Sequence, residues 1–121
     1  MYAADQPLLL LICDEPDCLQ RLRSTLREAG YLAAASRSLP AAISLLSQVR
    51  VDGCVLWGDP ALEELEPLRS RLDTLKPGCL KLIIRPGAAE VPEPWKRCSE
   101  PDLLESLAGA FGLRPGRDVG A

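Results

Sequence analysis

The sequence predicts an α/β domain, a single doubly wound parallel five-stranded sheet with helices on both faces. Three observations predict it. Residues Leu8 to Ile12 form an unbroken apolar run of strand length, which suits a parallel strand covered on both sides. Similar short runs recur and alternate with segments whose leucines return at helical spacing. The breaks at Gly30, Pro77-Gly78 and Pro86-Gly87 leave only short connections, and short connections with right-handed crossovers give an open parallel sheet. Such sheets bind ligands just beyond the carboxyl ends of their strands, so Asp14 sits where chemistry is expected.

The elements follow in order. After the first strand, Leu19, Leu22, Leu26 and Ala29 make one buried stripe, which predicts a helix from Asp17 to Ala29 that Gly30 ends. Tyr31 to Ala35 reads as the second strand. Ser38 with Pro40 opens a helix whose Leu39, Ala42, Ile43, Leu46 and Val49 face inward. Gly53 to Trp57 is the third strand. Asp59-Pro60 reads as a cap and a first helical proline, before a stripe of Leu62, Leu65, Leu68, Leu72 and Leu75 in which Pro67 predicts a kink or a restart. This spacing is near that of a coiled coil, although core packing is the commoner cause. Leu80 to Ile84 is the fourth strand, Gly87 to Pro94 a loop, and Trp95 to Cys98 a short edge strand. Ser99 and Asp102 resemble a capping box for a last helix carrying Leu103, Leu104, Leu107, Ala108 and Phe111. Residues 1–112 form the domain, and 113–121 a flexible tail or linker.

Composition narrows the function. The 121 residues fit one core. A net charge of −3 offers no positive field for phosphate backbones or acidic membranes. Leu8 to Ile12 is far shorter than the roughly 20 residues that span a bilayer, and no basic residue precedes it as in a leader. The five cysteines lack Cys-x-x-Cys spacing and read as reduced core thiols of a cytoplasmic protein. A redox pairing of Cys13 with Cys98 has no histidine to activate it. With no histidine in the chain, imidazole is excluded as base, phosphoacceptor or metal ligand. No Gly-x-Gly-x-x-Gly or Gly-Lys-Ser/Thr loop is present, which argues against a dinucleotide or ATP enzyme.

The segment Ile12-Cys13-Asp14-Glu15-Pro16-Asp17 resembles the start of the receiver domain of two-component response regulators, where a hydrophobic strand ends in two acids followed by Glu-Pro-Asp. Arg27 to Tyr31, Pro40 to Leu46, Val51 to Trp57, and Lys96 with Ser99 to Leu104 resemble further segments of that family in the same order. The resemblance spans about residues 8 to 112. It implies a flavodoxin-like, receiver-like sheet whose fourth helix is missing or replaced by the loop from Gly87. It also implies an aspartate phosphoacceptor at the end of the third strand and a divalent cation held by acids of the first.

The sequence departs from that pattern. The acceptor position falls on Trp57, Cys13 replaces the first acid, and Arg85 stands where the family carries a Ser or Thr. Only Asp14 and Lys96 match. A lone Asp14 gives Mg²⁺ too few protein oxygens, so Arg85 and Lys96 are expected to pair with Asp14 and Trp57 to fill the vacated volume. A cation over the indole adds roughly 0.5–2 kcal/mol. Glu15 reads as a first-turn acid favoured by the helix dipole. Asp59 is an alternative phosphoacceptor if the strand ends later, and otherwise a helix cap.

The resulting expectation is a degenerate receiver, not an enzyme, that works without cofactor or phosphorylation as a signalling or protein-interaction module. Magnesium enters only if the pocket is active, with Asp14 as its ligand. Its partner is a protein or a second copy, bound through the face around strands 4 and 5 at Ile84, Val91 and Trp95, with no nucleic acid and no membrane involved. Trp95 serves either that contact or packing under the loop. A phosphoacceptor receiver using Asp59 and a small-metabolite sensor using the crevice above Asp14 are the alternatives.

Overall fold

The computed structural model describes residues 6–84, 91, 93 and 95–112. Its strands are β1 (Leu8–Cys13), β2 (Leu32–Ser36), β3 (Gly53–Trp57), β4 (Leu80–Ile84) and β5 (Lys96–Arg97). Its helices are α1 (Pro16–Glu28), α2 (Leu39–Leu45), α3 (Leu62–Leu75) and α4 (Leu103–Phe111). The strands pair in the order β2-β1-β3-β4-β5, and every pair is parallel. This is the doubly wound sheet that the sequence predicts.

Strand alternation divides the core between two faces. Leu9, Leu11 and Cys13 meet Cys18, Leu22 and Leu26 of α1 together with Leu103 and Leu107 of α4. Leu10 and Ile12 meet Ala42 and Leu46 of the α2 segment and Leu65, Leu68 and Leu72 of α3. Leu9, Leu10 and Leu11 are wholly buried, each contributing about 1.5–3 kcal/mol by the transfer of its side chain from water. Close packing extends to the backbone at Gly53. A Cβ there would lie 3.2 Å from Leu9 Cδ2 and 3.3 Å from Phe111 Cζ.

Several boundaries move for local reasons. α1 starts at Pro16, one residue earlier than predicted, because proline is tolerated at the first helical position. Tyr31 lies outside β2 and packs its buried ring edge-on to Phe111, with centroids 6.1 Å apart. The Ser38 hydroxyl caps α2 as expected, accepting from the Ala41 N–H at 3.2 Å. That helix ends at Leu45, short of the apolar stripe that reaches Val49. Asp59-Pro60 does not open α3. Ala61 is its N-cap, and the carboxylate of Glu64 accepts from the Ala61 N–H at 3.0 Å, supplying from the first turn what the alanine side chain lacks. Pro67 lies inside α3 without a restart, since burial of Leu65, Leu68 and Leu72 offsets one missing hydrogen bond.

Beyond β4 the predicted edge strand shrinks to Lys96–Arg97, flanked by the buried Trp95 and Cys98. Ser99 does not cap α4. Its hydroxyl donates to Asp102 Oδ2 at 2.9 Å and accepts from the Asp102 N–H at 3.3 Å, closing a turn just before the helix. Arg85, the loop from Gly87 to Pro94 apart from Val91 and Glu93, the expected loss of a helix there, and the tail from 113 onward lie outside the described residues.

The amino edge of the sheet is a set of matched charges. Lys81 is buried at 3% exposure, and its ammonium donates to Asp73 Oδ1 at 2.7 Å and to the Cys79 carbonyl at 3.1 Å. Arg69 holds the other Asp73 oxygen at 2.9 Å. Asp52 accepts from the Leu8 N–H at 2.8 Å and from Lys76 at 2.9 Å. A lysine inside a parallel sheet is tolerated only with such partners.

Candidate functional site

The carboxyl edge is different. β1 and β3 end side by side, with Cys13 in register with Trp57 and Trp57 with Ile84. Beyond them the chain turns outward at Gly58, whose φ of 139° favours glycine and whose N–H bonds the Ile84 carbonyl at 3.0 Å. This turn aims the exposed Asp59 toward the end of the sheet. A cleft of about 430 Å³ opens there, lined by Ile12, Asp14, Arg37, Ser38, Leu39, Pro40, Leu56, Trp57, Asp59, Pro60 and Glu64.

The structure thus brings Asp14, Trp57 and Asp59 together. Trp57 does not plug the space. Its half-buried indole packs against the α1/α4 side of the core and also forms part of the cleft wall. Asp14 is exposed and makes no ion pair or side-chain hydrogen bond among the described residues. The expected Asp14–Lys96 pair therefore does not form. Lys96 is the first residue of β5, in register with Leu82 rather than with the end of β4, and lines a separate cleft at the amino edge with Asp73, Cys79 and Lys81.

Cys13 and Glu15 lie outside the cleft. Cys13 is fully buried, with its thiol 3.5 Å from the Glu15 carbonyl. Glu15 is the exposed N-cap of α1 and makes no side-chain cap. Burial, then contact with Cys13, pushes the Cys18 thiol up to about 12, and burial also raises the Cys98 thiol. These groups stay protonated at neutral pH and are poor nucleophiles. The expected apolar docking patch is also altered. Ile84 and Trp95 are only 5% and 4% exposed, and the half-buried Val91 packs against the same core as Trp95. These side chains serve the chain's own interior, so a docking surface on this side of the sheet would be built from other residues.

Arg37 and Glu64 line the cleft without having been singled out in the sequence. Arg37 directly follows β2, and a residue just after a parallel strand lies at the carboxyl edge; that position was the available signal. Among the described residues no three His, Cys, Asp or Glu side chains converge as ligands; Asp14 lies between the buried Cys13 thiol and the exposed Glu15. Magnesium asks for hard oxygen ligands in octahedral geometry.

No family model and no curated protein matches the chain. Solved structures do. A response regulator receiver protein from Sinorhizobium medicae superposes with a TM-score of 0.73 over 90% of this chain and 97% of its own, at 24% identity. The fold is that of a response-regulator receiver domain. A response regulator protein from Burkholderia multivorans has the same receiver fold, with a TM-score of 0.64 at 19% identity, over 93% of this chain and 99% of its own. The receiver domain of a Francisella response regulator matches with a TM-score of 0.63 at 14% identity, over 88% and 94% of the two chains. Within this receiver fold the end of β3 carries an indole. No helix among the described residues is long and apolar enough to cross a membrane.

Proposed function

We propose that this chain is a signalling module of the two-component type that acts without phosphorylation and without turnover of its own. One observation carries the reading: Trp57 ends β3 in register with Cys13 at the end of β1, where receiver chemistry calls for a carboxylate nucleophile and an acid pair. An indole has no oxygen to phosphorylate, and a thiol is a poor magnesium ligand. Signal output then depends on the shape and surface of the domain. It acts through contact with a protein partner or a second copy on the side of the sheet that carries β4 and β5.

The test is intact-mass spectrometry after incubation with magnesium and acetyl phosphate. The expected result is an unmodified mass. A stable phosphoryl adduct, removed by Asp59→Asn, would overturn the reading in favour of Asp59 as acceptor.

A further inference from the structure

The carboxyl-edge cleft is open, and two opposite charges in its wall have no partner among the described residues. Asp14 and Arg37 both line it, yet neither forms an ion pair or side-chain hydrogen bond among the described residues, with each other or with anything else. At the amino edge, by comparison, Lys81, Asp73, Arg69, Asp52 and Lys76 are all paired. The apolar part of the wall comes from Ile12 and Leu56, nearly buried, and from the half-exposed Trp57 indole. A volume of about 430 Å³ falls within the range of small-molecule sites. Its position at the carboxyl ends of the strands is where such sheets bind ligands.

We propose that this cleft binds a small zwitterion of the α-amino acid class, with its carboxylate on Arg37, its ammonium on Asp14 and its apolar body against Trp57. Each contact follows from the chemistry of the side chain. A guanidinium offers a planar fork that grips a carboxylate through two parallel hydrogen bonds. An exposed carboxylate accepts from an ammonium, and the indole face attracts the same cation. A phosphoryl dianion is disfavoured because, in the described lining, the carboxylates of Asp14 and Glu64 face the single guanidinium of Arg37. The inference rests on the phosphorylation-independent reading, since a ligand here occupies the space a phosphoryl group would need. The input to the domain would be a metabolite.

The experiment is a thermal-unfolding screen of the full chain against each common amino acid, followed by titration calorimetry on those that raise the transition. For L-phenylalanine the controls are phenethylamine and 3-phenylpropionate, each lacking one of the two charges. Saturable binding is expected for at least one amino acid. It should weaken at least tenfold in the one-charge analogues and in Asp14→Asn and Arg37→Gln, whose exposed side chains are not needed for folding. Absence of any stabilisation across the set would overturn the proposal, as would binding that both variants leave unchanged. Neither outcome bears on the mass-spectrometric test, so failure here is separable from failure of the phosphorylation-independent reading.

Discussion

The two edges of this sheet handle charge in opposite ways. At the amino edge Lys81, Asp73 and Arg69 form one chain of contacts, and Asp52 binds both the start of β1 and Lys76. At the carboxyl edge Asp14 and Arg37 stand in an open cleft without partners among the described residues. A buried charge must be matched for the chain to fold. An exposed one need not be, so it is available for function. The difference separates the residues that hold the fold from those that can act.

The largest expected effect breaks the amino edge. Asp73→Ala leaves the Lys81 ammonium buried with one carbonyl contact and should cost about 3 kcal/mol in chemical denaturation. Lys81→Met removes the buried charge itself and leaves Asp73 with Arg69, so it should cost less. If the two variants were equally mild, the buried lysine would have found water and the contrast between edges would weaken.

Next in size is Asp52→Ala, which removes the acceptor of the Leu8 N–H and the partner of Lys76. About 1–2 kcal/mol should be lost, read as a shifted denaturation midpoint with unchanged slope. Acid sharpens the same point. Hydrogen bonding from Lys81 holds the Asp73 carboxyl below the usual carboxylate range. For Asp52, burial pushes upward but is outweighed by the Leu8 N–H and Lys76. Both depressed groups contribute stability that is present above the unfolded pKa of about 3.9 and lost as pH falls through the lower folded value. Stability should thus be level from neutral pH to about 5 and fall below about 4, with a shallower fall in Asp52→Asn.

The smallest effects belong to the carboxyl edge. Asp14→Asn and Arg37→Gln should change stability by no more than about 0.5 kcal/mol, as exposed groups outside any network do. A larger loss in either would mean that these charges support the fold after all.

The fold was legible because its signals are local and repeated. Leu8 to Ile12 and Leu80 to Ile84 are apolar at every position except Lys81, as strands covered on both faces must be. The leucine stripes of α1 and α3 marked their inward sides. What escaped depended on partners distant in sequence. Lys81 interrupts an apolar run, and only Asp73 on the facing helix explains it. The start of α3 was misplaced because Glu64 reaches back to Ala61, a bond that a search for capping side chains overlooks.

The site was legible in part. Asp14 and Trp57 were placed by strand ends, and the structure puts both at the cleft. Lys96 was assigned by resemblance, but β5 starts with it, so the side chain lies toward the opposite edge of the sheet. Arg37 was missed because nothing in its own type or spacing distinguishes it; only the pairing of β2 with β1 brings it to the same cleft as Asp14. Ile84 was expected on an uncovered face and Trp95 either there or packed under the loop; the burial of both shows the core reaching that far.

Whether the end of β3 can take a phosphoryl group is read from the backbone amide resonances of the full chain while magnesium and beryllofluoride are added together. No change is expected at residues 13–15 and 57–59. Saturable shifts at Asp14 and Asp59 that require both additives would contradict the phosphorylation-independent reading.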